Sequence, residues 1–182
     1  MSAICVFCSS SSTIDPRYLD LAAEVGHEIA ARGHHLVSGG GRVSMMGAVA
    51  TAARAGGAHT AGVIPQRLVD HEVADVEADE LVVVDTMRER KAEMDRRADA
   101  FLILPGGIGT LEEMFEVWTT RSLDMHHKPV VLLDPTGVFD PLWAVLTGLV
   151  RQGFVHTQAF EAVAVTRDVD SAFAALGRPG SF

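Results

Sequence analysis

The chain has 182 residues, 48% of them apolar, and a formal net charge of −9. That length suits one packed domain and is short for two, and the apolar share excludes a disordered chain. The acidic balance argues against nucleic acid as a partner, because phosphate backbones are held by clustered Lys and Arg. No apolar run approaches the ~20 residues of a membrane span.

The N-terminus enters Ile4-Cys5-Val6-Phe7 without a basic, apolar signal, so a soluble cytoplasmic protein is expected. Ala3–Cys8 is predicted as the first strand. Cys5 and Cys8 form a C-x-x-C, but the period of two sends them to opposite faces, and the chain has no further cysteine for a zinc site. They read as core residues. Five hydroxyl residues follow, Ser9 to Thr13, either a phosphate or ribose contact or a polar lead into the next helix. That helix, Pro16–Arg32, starts with Asp15-Pro16 as cap and first residue and stops at Gly33.

The second strand, His35–Ser38, runs into Gly39-Gly40-Gly41, and Met45–Ala55 is helical. Three glycines in a row imply close approach of the backbone to a ligand or a neighbouring loop, or simply a tight turn. A third strand, Thr60–Ile64, precedes a polar stretch from Pro65 to Asp79 that holds Glu72, whose spacing marks nothing special. The fourth strand, Leu81–Val84, leads to a helix, Arg88–Ala98, opened by Met87-Arg88-Glu89-Arg90-Lys91. Arg88 and Lys91 share a face there and Arg90 points elsewhere, so position leaves open which cation meets a ligand.

The fifth strand, Ala100–Leu104, ends in Pro105-Gly106-Gly107-Ile108-Gly109-Thr110, and the helix Gly109–Arg121 follows with Glu112, Glu113 and Glu116 near its start. Bare N–H groups and the positive helix end suit a phosphate. A purely phosphate-holding turn gains nothing from adjacent carboxylates, so the pairing points to a phosphorylated substrate and a carboxylate acting further along it. Gly107-Ile108-Gly109 also begins a dinucleotide fingerprint, with Asp134 as a candidate ribose acid, but Glu112 replaces the third glycine. No P-loop sequence occurs. The adjacent pairs His34-His35 and His126-His127 lack the spacing of a helical metal site, and no metal is expected.

Two strands, Pro129–Leu133 and Ala162–Val165, and two helices, Phe139–Gln152 and Asp168–Leu176, complete the chain. Continuous apolar strands alternating with helices predict one doubly wound, Rossmann-like α/β domain over residues 1–182, with a mostly parallel sheet of about seven strands and helices on both faces. In such sheets the chemistry lies beyond the carboxyl ends of the strands.

These residues together resemble the Lonely Guy family of cytokinin-activating phosphoribohydrolases, many of them long labelled lysine decarboxylases. Pro105 to Glu113 match its P-G-G-x-G-T-x-x-E, and Met87, Arg90 and Lys91 match its M-x-x-R-K. Phe7 to Ser11 resemble F-C-G-S-S with Ser9 for the glycine, and Gly39 to Gly47 resemble G-G-G-x-x-G-L-M-G with Ser44 for a glycine and Met45 for leucine. The resemblance implies hydrolysis of the N-glycosidic bond of AMP or its N6-prenylated forms, without a cofactor, in a homodimer. It implies Arg90 and Glu113 as the catalytic pair and Glu72, Lys91, Gly107 to Glu113 and Thr119 as substrate contacts. Gly106, Ile108, Gly109, Thr110, Leu111 and Glu112 thus join the candidate binding set, with Ser9, Ser10, Gly40, Gly41 and Met87 from the flanking loops.

Two other functions compete. A nucleotide sensor of the same fold would bind AMP without turning it over, and a pyridoxal phosphate decarboxylase would need Lys91 or Lys128 for a Schiff base. Met45, Met46, Met87, Met125 and Trp118 either form an apolar pocket for the base or pack the core. The apolar face of Met114, Phe115 and Trp118 is either a dimer interface or core.

Overall fold

The computed structural model describes residues 1–69 and 73–177. In chain order the elements are β1 (Ala3–Phe7), α1 (Arg17–Ala31), β2 (His35–Ser38), α2 (Ser44–Ala55), β3 (Thr60–Pro65), α3 (Gln66–Val69), β4 (Glu80–Val84) and α4 (Met87–Arg97). The second half adds β5 (Ala100–Ile103), α5 (Ile108–Ser122), β6 (Val130–Leu133), α6 (Asp140–Arg151), α7 (Thr157–Glu161), β7 (Val163–Thr166) and α8 (Val169–Leu176). Every strand and helix expected from the sequence is present, with ends displaced by a residue at most. The short helices α3 and α7 were not expected. With four and five residues they are too brief for a 3.6-residue period to register.

The strands form one parallel sheet in the order β4-β3-β2-β1-β5-β6-β7. Alternation along each strand explains why the central ones read as unbroken apolar blocks. Ile4, Val6 and Cys8 face a layer made by α1, α2 and α8, whereas Cys5 and Phe7 face α4, α5 and α6. Each fully buried large side chain, Phe101 or Leu102 for example, contributes ~2 kcal/mol. The two thiols therefore sit on opposite faces, free and buried, and burial raises the pKa of both. The C-x-x-C is core.

Other open readings close at this level. Met114 and Trp118 are buried, and Trp118 stacks on Phe115 and Trp143 while its Nε1 donates to the Ala159 carbonyl at 2.6 Å. That face of α5 is core. Asp134 is buried and accepts from the N–H groups of Val138 and Phe139 at 3.1 and 2.9 Å, so its carboxylate is committed to the turn into α6. Among the described residues no helix is long and apolar enough to cross a membrane.

Chain order reverses between β1 and β5, the centre of the sheet. The loops leaving these two strands go to opposite faces and open a crevice at their carboxyl ends. Ser9 N–H donates to the Pro105 carbonyl at 3.3 Å across its base. This places the hydroxyl loop and the Pro105–Thr110 turn side by side.

Candidate active site

A pocket of about 330 Å³ occupies the crevice, within the size range of small-molecule sites. Its walls come from Val6 and Phe7 at the end of β1 and Cys8 to Ser11 after it, Gly39 and Met46 around the start of α2, Leu68 of α3, Met87, Arg90 and Met94 of α4, and Gly107 to Thr110, Glu112 and Glu113 at the start of α5. Residues distant in sequence meet here because all their loops leave the same sheet edge.

The start of α5 is the anion-facing wall. Its N-cap is Gly107, with no side chain hydrogen-bonded to the first turn, so the leading N–H groups keep their positive end toward the pocket. Thr110 is buried beside Gly106, and a side chain at 106 would run into the Thr110 hydroxyl. Glycine at 106 thus lets Thr110 fold back under the turn.

Arg90 and Glu113 form the buried polar centre. Arg90 Nη1 donates to Glu113 Oε1 at 2.7 Å and Nε donates to the Val63 carbonyl at 3.1 Å, with the two residues only 7% and 8% exposed. Burial raises the Glu113 carboxyl above its ordinary value, and the charge and hydrogen bond of Arg90 pull it back toward the ionised form. α4 holds Arg90 rigidly through a capping box. Thr86 Oγ1 accepts from Glu89 N–H at 3.1 Å while Glu89 accepts from the Thr86 N–H at 3.2 Å. Arg88 is exposed, which settles the ambiguity among the cations of this helix.

Lys91 points elsewhere. Its ammonium is held by both Glu112 and Glu116 of α5, whose hydrogen bonds raise its pKa. It is absent from the pocket wall among the described residues, as are Leu111 and Thr119; Thr119 lies on the exposed side of α5. Glu112, on the rim, is tied to Lys91.

The hydroxyl loop contributes directly. Ser9 is buried, Ser10 and Ser11 are exposed, and all three line the pocket. Ser11 N–H donates to Ser9 Oγ at 3.1 Å, and Ser44 Oγ donates to the Ser11 carbonyl at 2.6 Å, joining this loop to the start of α2. Ser44 holds a φ of 54°, the left-handed region that favours glycine, and its hydroxyl supplies the latch. Gly40 and Gly41 do backbone work behind the pocket wall. Gly40 has φ 69° and packs on Val63, and Gly41 bridges to Ala74. Glu72 lies outside the described residues.

Of the methionines considered for a base pocket, Met46 and Met87 line it, Met45 is core, and Met125 is exposed off the pocket. Sequence reasoning missed Gly39 as a wall residue distinct from its neighbours, and also Leu68 and Met94. Leu68 had no signal, since α3 is a single turn. Met94 lies one helical turn beyond Arg90 and was findable by the i, i+4 rule.

A family model described as "Possible lysine decarboxylase" matches residues 46–176. A cytokinin riboside 5'-monophosphate phosphoribohydrolase of Mycobacterium tuberculosis is 54% identical over 172 residues, covering 94% of this chain and 91% of its own. Its counterpart in Mycobacterium marinum is 52% identical over 177 residues, 97% and 94% of the two chains. One from Arabidopsis thaliana is 45% identical over 156 residues, 86% and 73% of the two chains. Among solved structures, the molybdenum cofactor binding protein of Rippkaea orientalis superposes with a TM-score of 0.71 at 21% identity, over 95% of this chain and 93% of that one. The molybdenum cofactor carrier protein of Chlamydomonas reinhardtii gives 0.71 at 24% identity, over 96% and 94%. At such identity these two share the fold alone.

Proposed function

This chain belongs to the Lonely Guy family, and from that premise we propose that it hydrolyses the N-glycosidic bond of AMP or its N6-prenylated forms. Water adds to the anomeric carbon, the bond to the base nitrogen breaks, and free base and ribose 5-phosphate leave. The observation that carries the reading is the buried Arg90–Glu113 pair, 2.7 Å apart, beside the uncapped start of α5.

The 5′-phosphate lies on the N–H groups of Gly107 to Thr110 and on the Thr110 hydroxyl, with Ser9 and Ser10 opposite. Glu113 lies about one helical turn further along, facing the ribose, where its carboxylate stabilises positive charge at the anomeric carbon or directs water. Arg90 keeps that carboxylate ionised in a buried setting and orients the substrate. Lys91, bound to Glu112 and Glu116, offsets their charge at the rim, so two carboxylates do not repel the phosphate. A pure sensor has no need of a desolvated carboxylate beside its ligand. The decarboxylase reading lacks its nucleophile, because Lys91 is held by carboxylates and Lys128 by the Asp95 carboxylate and carbonyl, both away from the pocket wall.

A second copy of the chain completes the assembly. Thr119 reaches substrate only from outside its own pocket, and the open side of α5 carries exposed Ile108 at its start and Leu123 beyond its end. Chromatography of AMP and of N6-prenylated AMP incubated separately with the protein tests the reading: free base and ribose 5-phosphate in equal amounts from either support it, and nucleoside with inorganic phosphate, or both substrates unchanged, contradicts it.

A further inference from the structure

Arg90 reaches across the carboxyl ends of β2 and β3 from α4, and two hydrogen bonds fix two of its nitrogens, Nε on the Val63 carbonyl at 3.1 Å and Nη1 on Glu113 at 2.7 Å. The third, Nη2, occupies the space that a β-carbon at position 39 would fill, and Cζ lies 2.9 Å from that point. Met46 Sδ lies 3.2 Å from the same point. The backbone itself does not demand glycine here. Gly40 has a left-handed φ of 69°, but Gly39 is not among the residues with positive φ. What position 39 requires is room, and the group using that room is the Arg90 guanidinium.

We propose that Gly39 is a positioning residue whose bare α-carbon is the socket that fixes the plane of the Arg90 guanidinium against Glu113. The proposal rests on Arg90 and Glu113 being the catalytic pair. A methyl group at 39 meets the tip of a flexible side chain, so the cheapest relief is for the guanidinium to swing while sheet and helix stay in place. Swinging costs it Val63, Glu113 or both. The first glycine of the triplet thereby differs in purpose from the second, which serves the backbone, and the triplet is not a uniform phosphate cradle.

The test is a double-mutant cycle of Gly39→Ala and Arg90→Ala, read by thermal melting, by kcat and KM for base release from AMP, and by the acid limb of kcat/KM. Gly39→Ala alone should fold, lose ~10²-fold in kcat and change KM less. Its acid limb should move to higher pH. Glu113 is faced by Arg90 and Lys91 from α4, by Glu112 on its own helix and by Cys5 and Cys8 from β1, and only Arg90, which holds the carboxyl down, is displaced. Added to Arg90→Ala, the same change should cost no further rate and leave the limb where it was. Equal fractional losses in both backgrounds, or near-native kcat in Gly39→Ala, would overturn the proposal. If Gly39→Ala does not fold, a double variant melting like Arg90→Ala supports the socket, and one that also fails to fold overturns it. Arg90→Ala with near-native base release contradicts the functional reading instead, and the melts then still decide whether position 39 houses the guanidinium.

Discussion

Glu113 is an acid kept where water is scarce, and burial is the largest influence on it, with Arg90 opposing. A carboxyl whose folded pKa lies above its unfolded one contributes stability fully below the unfolded value, and loses it as pH rises through the folded value. Ionised Glu113 therefore costs the fold something at neutral pH, a cost familiar at active sites. Activity runs the other way, since the proposed chemistry uses the carboxylate. The acid limb of kcat/KM for AMP should accordingly be centred above the ordinary glutamate value of 4.5; a limb at or below that value would remove Glu113 from the role. At this scale the sequence was a partial guide. The Pro105–Glu113 run advertised phosphate and carboxylate together, but helix position alone left Arg88 and Arg90 open. The family resemblance pointed to Arg90, and the roll of α4 on the sheet supplies the physical reason. The engagement of Lys91 with Glu112 and Glu116 was invisible, because it joins two helices.

Among the elements, α4 matters most, since Arg90 lies one turn inside its capped end. Thr86→Ala removes the acceptor of the box and should cost ~1 kcal/mol, a fall of ~2–4 °C in melting temperature for a domain of this size. Turnover should fall with it, because the frayed turn carries Arg90. An unchanged melt would show that the box is ornamental. Strands and long helices were legible from apolar blocks and period, down to their ends. What was hidden is single-turn structure such as α3, which brings Leu68 to the pocket, and the latch from Ser44 to Ser11. Both depend on contacts between loops that no local pattern encodes.

For the whole molecule, the doubly wound class followed from alternation, whereas strand order did not. Only the reversal between β1 and β5 explains why the Ser9 loop and the Pro105 turn share one crevice. On the proposed function the chain should melt as one unit and run in solution at twice the mass of a single copy; a monomer active at every dilution would refute the pairing. In the proposed function Glu113 acts on the glycosidic bond of a bound nucleoside monophosphate. The most direct measurement is the rate of adenine release from saturating AMP by the native protein and by Glu113→Gln, with melting of both recorded. A loss of ~10²–10³-fold is expected in a variant that still folds, and near-native release by that variant would contradict this role of Glu113.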